Sequence, residues 1–335
     1  MQKFWILWFL IVGFSIHAQQ SDFSGVDFSK ADNIALRYKS KKVNVNKISF
    51  DLTKDLKTDI EKFRAIYMWI THNIANDHRL FLKNNRKRNK YFGDSIALAT
   101  WNSKFKKVLF KKLLRKRRTI CSGYSYLLKE MCELVGIKAR IINGFGKTSD
   151  VELDKLLFAN HTWNAVQLNG KWYLCDPTWA AGITLPDKGR FNFEYNNGYF
   201  LADPKLFVLT HYPIERQWSL LGDQIPSFQD FASAPLLYGE AYNLFTEHIS
   251  PIKMHDTIQQ KNVVEFKYRL KKAIYTQRLS LVFVKGVNEK IYKPSVNVKG
   301  DTLTLQQPFN KRGFYDIHLY FDKKIVATYT FRVTK

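Results

Sequence analysis

Apolar residues recur at helical spacing in three parts of the chain and alternate with polar ones in others. Ile60, Phe63, Tyr67, Ile70 and Ile74 form one stripe, and Thr58-Asp59-Ile60-Glu61 carries the arrangement in which two side chains cap a first turn reciprocally, so a packed helix is expected over 58–75. Phe105, Val108, Leu109 and Leu113 mark a short amphipathic helix with a Lys-rich opposite face, expected at the surface. Tyr124, Leu127, Leu128, Met131, Leu134 and Val135 mark another that opens at Cys121, with Gly136 placed to stop it. Residues 137–143 then read as a strand. Residues 161–168 and 171–176 read as two more, joined by Asn169-Gly170, a strong signal for a two-residue hairpin turn. Residues 177–230 show no clear period. From about 262, short alternating runs at 263–270, 278–284, 295–298, 301–305, 314–321 and 325–333 predict a separate all-β domain, a small sandwich.

Composition sharpens this into two domains. A chain of 335 residues exceeds what one core usually supports, and 45% hydrophobic with 15% aromatic residues excludes a mainly disordered protein. Three cysteines cannot build a disulfide framework. The net charge of +24 is uneven: 83–118 carries +13 and 261–335 carries +11, with a mildly acidic stretch between. Such segments either solvate the surface or attract an anionic partner. Met1-Gln2-Lys3, the apolar run from Phe4 to Ile16 and Ser15-Ile16-His17-Ala18 have the layout of an export signal cut after Ala18. The run is shorter than the ~18–20 residues of a spanning helix, and no later segment is apolar enough to span. The expected organisation is a signal peptide at 1–18, a mixed domain at 19–250 and a β-sandwich at 251–335. The expected location is periplasmic, cell-surface or secreted. An anionic envelope component is then the expected partner of the basic segments, and no nucleic acid is expected.

The candidate chemistry gathers around Cys121. A thiol at a helix start lies beside the positive end of the helix dipole and orphan N–H groups, which favour the reactive thiolate. Ser122 is a candidate capping side chain, and Gly123 a point of close approach for another chain or a substrate. The Asn169-Gly170 turn sets Asp176 opposite Trp163 and His161 opposite Thr178, so all four share a sheet face, while Cys175 points to the core. An Asp bonded to one imidazole nitrogen leaves the other as a base. Cys121, His161 and Asp176 are therefore candidates for nucleophile, base and orienting acid, and the Cys121 N–H for one oxyanion donor. Trp101, Trp163 and Trp179 are candidate oxyanion or substrate-positioning residues. The remaining histidines, His211 among them, read as structural or surface. A Cys132–Cys175 disulfide is conceivable after export. Cys121, Cys132, Cys175 and His161 lack zinc-site spacing, and no phosphate loop, dinucleotide fingerprint or calcium loop is present, so no metal or cofactor is expected.

Ile120-Cys121-Ser-Gly-Tyr-Ser-Tyr-Leu-Leu, Asn160-His161-Thr-Trp-Asn-Ala-Val and Trp172-Tyr-Leu-Cys-Asp176-Pro-Thr-Trp179 resemble the transglutaminase-like superfamily, as does Arg64-Ala-Ile-Tyr-Met-Trp-Ile-Thr-His-Asn-Ile74 upstream. Tyr199-Phe-Leu-Ala-Asp-Pro-Lys-Leu-Phe207, His211-Tyr-Pro213 and Trp218 look like its kyphoscoliosis-peptidase-like branch. The resemblance spans about 50–240. It implies a papain-like α+β core, followed here by the immunoglobulin-like β domain. It also implies a thioester at Cys121 and a protein or peptide substrate, released to water (peptidase or amidase) or to an amine (glutamine acyl transfer). The alternative is a non-catalytic envelope scaffold or adhesion protein on the same fold, since some members of that branch have lost the cysteine.

Overall fold

The computed structural model describes residues 20–40, 43–149, 151–185 and 189–335, so the expected export signal lies outside the described residues. The first unit contains α1 (Ser29–Arg37), α2 (Val45–Thr53), α3 (Asp59–Asn73), α4 (His78–Lys90), α5 (Ser95–Lys116), α6 (Cys121–Glu133) and the short α7 (Pro177–Ala181). Two-residue strands β1 (Ala75–Asn76) and β2 (Arg118–Thr119) pair in parallel and bring the exit of α3 beside the entry of α6. The main strands are β3 (Ala139–Gly146), β4 (His161–Leu168) and β5 (Lys171–Cys175). A small antiparallel pair follows, β6 (Gly182–Leu185) with β7 (Arg190–Phe193), and then β8 (His211–Pro213). The sheet runs in the order β5-β4-β3-β8.

Local chemistry sets these boundaries. The Thr58 and Glu61 side chains cap each other's backbone at the start of α3, as the spacing predicts. Phe63, Tyr67, Trp69 and Ile70 are fully buried along α3, which therefore runs through the core rather than over it; each such side chain stabilises the fold by about 1.5–3 kcal/mol of transfer free energy. Tyr124, Leu127, Leu128 and Met131 of α6 are buried, but Leu134, at the fraying end, is exposed. Gly136 adopts φ +82° and Ile137 N donates back to the Cys132 carbonyl at 2.9 Å, which ends the helix. The β4–β5 hairpin has the expected register, with Asn164 opposite Cys175 and Ala165 opposite Leu174.

The basic stretch is more ordered than its periodicity suggests. Instead of one short helix it forms two, and α5 alone is 22 residues long. Phe105, Leu109 and Leu113 are buried, whereas Val108 faces solvent. Leu80 of α4, Phe105 and Leu109 of α5, and Ile120 form a small separate apolar cluster that pins this helical pair beside the start of α6. High charge density hid α4, because only Leu80 of its 13 residues is buried. Among the described residues no helix is long and apolar enough to cross a membrane.

The C-terminal unit is a β-sandwich of two sheets. The additional strands are β9 (Leu236–Leu237), β10 (Phe245–Ser250), β11 (His255–Gln259), β12 (Val263–Leu270), β13 (Leu279–Lys285), β14 (Asn288–Tyr292), β15 (Ser295–Lys299), β16 (Thr302–Pro308), β17 (Gly313–Phe321) and β18 (Lys324–Thr334). One sheet runs β10-β12-β16-β15 and the other β11-β18-β17-β13-β14, with β9 added to β18. All six alternating runs are strands. The sandwich nevertheless begins at Phe245 rather than 251, and β9 reaches into it from the first unit. Lys147 ties the loop after β3 to 231–234, its Nζ donating to the Phe231 and Ala234 carbonyls at 2.7 and 2.8 Å.

Gly123 has a different role from the expected one. A Cβ there would overlap the buried Thr119 side chain of β2, so the missing side chain lets α6 seat against its own lead-in strand. Gly123→Ala should lower stability by about 1–3 kcal/mol, the usual cost of overpacking a filled site. A thermal melt equal to wild type would show that Thr119 yields freely.

Candidate active site

The site is built where α6, β4 and the β5–α7 junction meet. Cys121 is the first residue of α6 and is partly exposed. Ile120 precedes it as a helix cap without a capping side chain, so Ser122, inside the first turn, does not cap. The Gly123 and Tyr124 N–H groups both turn back to the Ile120 carbonyl, at 2.8 and 3.1 Å. The N–H groups that open the helix are thus left to a ligand, as an oxyanion requires.

His161 opens β4. Asn160, just before it, exchanges two hydrogen bonds with the Gly146 backbone, donating from Nδ2 at 2.9 Å and accepting at Oδ1 at 2.7 Å. Gly146 also provides space: a Cβ there would lie 3.0 Å from His161 Cβ and 3.3 Å from the Trp179 ring. The Trp179 ring stacks on the imidazole with centroids 5.0 Å apart and planes at 28°.

Asp176 is fully buried at the end of β5 and serves two functions. It caps α7, with Oδ1 accepting from Thr178 N at 2.7 Å and Trp179 N at 3.1 Å. Its Oδ2 accepts from His161 Nε2 at 2.6 Å and from His211 Nε2 at 3.1 Å. Pro177 in the first turn and the Tyr67 hydroxyl, which donates to the Asp176 carbonyl at 3.0 Å, fix its backbone.

Electrostatics follow from this geometry. Burial would raise the Asp176 pKa, but the two imidazoles hold the carboxyl well below the usual carboxylate range. Burial opposes charge on His161 as well; the Asp176 carboxylate and the Cys121 sulfur overcome it and raise the imidazole to about 10. For Cys121, burial raises the thiol, and hydrogen bonding to His161, its charge and donors from Thr162 lower it further than burial lifts it. With Nε2 committed to Asp176, Nδ1 is the nitrogen left for the sulfur. Sulfur, imidazole and carboxyl thus lie in sequence, and each favours the charged form of its neighbour. Cys132 and Cys175 are buried free thiols, both raised by desolvation.

His211 is the residue the sequence reading missed. Burial lowers it to about 4, so it is neutral, donates from Nε2 to Asp176 and accepts at Nδ1 from the Thr210 hydroxyl at 2.8 Å. Tyr242 bonds Thr210 in turn. The ring lies flat on Phe207, centroids 3.8 Å apart. His211-Tyr-Pro213 was visible as a motif block, but nothing in its local pattern pointed to Asp176. Of the three tryptophans, Trp179 covers His161, and Trp163 is buried beside both imidazoles, with centroids at 6.0 and 5.2 Å. Trp101 stacks on Phe105, and its indole N–H donates to Asn84 at 3.0 Å, which engages that donor.

Residues 46–177 match the family described as the transglutaminase-like superfamily. Those residues form a transglutaminase-like core. The chain is similar to kyphoscoliosis peptidase of Mus musculus, 30% identical over 204 residues that make up 60% of this chain and 28% of that protein. The Homo sapiens kyphoscoliosis peptidase is 32% identical over 196 residues, 58% of this chain and 27% of that protein. Hillarin of Drosophila melanogaster is 27% identical over 230 residues, 63% and 25% respectively. The chain therefore spans about a quarter of the length of these relatives. The matched segment contains Cys121, His161 and Asp176 together.

Reactivity should follow the charge chain. Cys121 should alkylate far faster than Cys132 or Cys175 at mildly acidic pH, because its thiolate persists below the ordinary ~8.5 of a free thiol. Turnover should fall on the acid side as the thiolate protonates, and on the alkaline side as His161 loses its proton near 10. Equal, slow labelling of all three thiols would contradict the assignment.

Proposed function

We propose that this chain is an exported thiol acyl-transfer enzyme that opens an amide bond of a protein or peptide through a thioester on Cys121. The observation that carries the reading is the link from a helix-start sulfur to His161, and from His161 Nε2 to the buried Asp176 at 2.6 Å. The thiolate attacks the amide carbon, forming a C–S bond while the carbonyl oxygen takes the negative charge against the N–H groups that open α6. The tetrahedral centre then collapses. The C–N bond breaks as imidazolium Nδ1–H gives its proton to the leaving amine. Water or a second amine enters next, loses a proton to the now neutral His161 and attacks the thioester. Carboxylate or new amide forms and the thiolate is regenerated. Asp176 keeps its charge throughout and holds the imidazole, while His211 shares the same carboxylate oxygen and fixes where it points.

In this reading an anionic envelope component is the setting, met by the basic segments at 83–118 and 261–335. The peptidase names of the relatives favour water as acceptor. The discriminating experiment offers the protein a peptide pool with and without a labelled amine. His161→Ala should remove turnover by on the order of 10³-fold while leaving the fold, since both proton transfers pass through it. Asp176→Asn should lose less, because its role is orientation. Undiminished activity or thiol reactivity in His161→Ala would contradict the mechanism.

A further inference from the structure

Beside Cys121 and His161 lies a cavity of about 600 Å³ whose far wall is formed by α4 and α5. Its described lining holds no Asp or Glu. Besides His161 it holds two basic side chains, Arg88 and Lys106, together with amides such as Asn84. Lys106 is exposed at the rim and Arg88 is half-buried. The Arg88 guanidinium lies over the Phe158 ring, 4.6 Å from its centroid, and Nη1 donates to the Ala159 carbonyl at 3.4 Å, two residues before His161. Those contacts fix the plane of the fork but use only one of its five N–H groups. Burial lowers the guanidinium, and the charged group acting on it is the Cys121 sulfur rather than a carboxylate. A planar guanidinium, flat on an aromatic face and short of an acidic partner, fits a carboxylate in bidentate geometry.

We propose that Arg88, supported by Lys106, is a carboxylate subsite of this cavity, so that the amide delivered to Cys121 belongs to an acidic peptide. The inference rests on the thiolate reading above and adds the substrate class to it. It also gives the basic helical pair a local purpose. The small cluster of Leu80, Phe105, Leu109 and Ile120 holds α4 and α5 in place as a wall of the cleft, and their charge draws acidic chains toward the sulfur.

The test compares two alkylating probes on Cys121, anionic iodoacetate and neutral iodoacetamide, in wild type, Arg88→Gln and Arg88→Lys. Both reagents attack the same thiolate, so their rate ratio cancels any change in its population and reads the field around it. The iodoacetate-to-iodoacetamide ratio should fall by on the order of tenfold in Arg88→Gln and lie between the two in Arg88→Lys. The same ratio in all three proteins would overturn the subsite while leaving the thiolate reading intact. Slow labelling by both reagents in wild type would overturn that reading and the subsite with it. Protection of Cys121 from iodoacetamide by N-acetyl-Glu-Gly-amide or by N-acetyl-Gln-Gly with a free terminus, measured against neutral N-acetyl-Gln-Gly-amide, separates a side-chain carboxylate from a chain terminus. One of the charged peptides should protect better, and should lose that advantage in Arg88→Gln. Equal protection by all three would count against the proposal.

Discussion

One buried carboxylate, that of Asp176, accepts four hydrogen bonds and fixes the rest of the site around it. An anion with no exposure to water is costly unless every lone pair is engaged. Here two backbone N–H groups engage one oxygen and two imidazoles the other. The same residue therefore ends β5, starts α7, orients His161 and gives the imidazolium its counter-charge. Low dielectric strengthens each of these interactions at once. The Cys121 sulfur thus depends, through His161, on a carboxylate beyond it.

The two histidines on that oxygen show how surroundings set charge. His161 lies between two anionic groups and is raised to about 10. His211 shares only the carboxylate, is stacked on Phe207, and is lowered to about 4 by burial. One imidazole is thus kept as an acid and the other as a neutral spacer. Trp163 and Trp179 shield the pair from water, which is how apolar neighbours contribute to an ionic device.

Much of the fold was legible in the sequence because its determinants are local. The capping box at Thr58, the stop at Gly136 and the Asn169-Gly170 turn each depend on residues within one turn, and the hairpin register alone brought His161 to Asp176. The six strands with clear alternation were legible for the same reason. Features set by tertiary partners were not. Helix α4 buries one apolar residue and carries no stripe. Gly123 answers to Thr119 through the pairing of β1 with β2, and His211 to Asp176 across the sheet. Strands β11 and β14 lie at sheet edges with largely exposed side chains, so their alternation is faint. The partner of Trp101 was equally out of reach: its indole N–H meets Asn84, on a different helix.

The central claim is that His161 is an imidazolium while His211 is neutral on the same carboxylate. Ring-nitrogen NMR of protein carrying nitrogen-labelled histidine, with signals assigned by single His→Gln substitutions, reads this directly. At about pH 8, above the ~6.5 of an unperturbed imidazole and below the about 10 of His161, the account predicts both ring nitrogens of His161 protonated and only Nε2 of His211. A neutral His161 ring at that pH would contradict it.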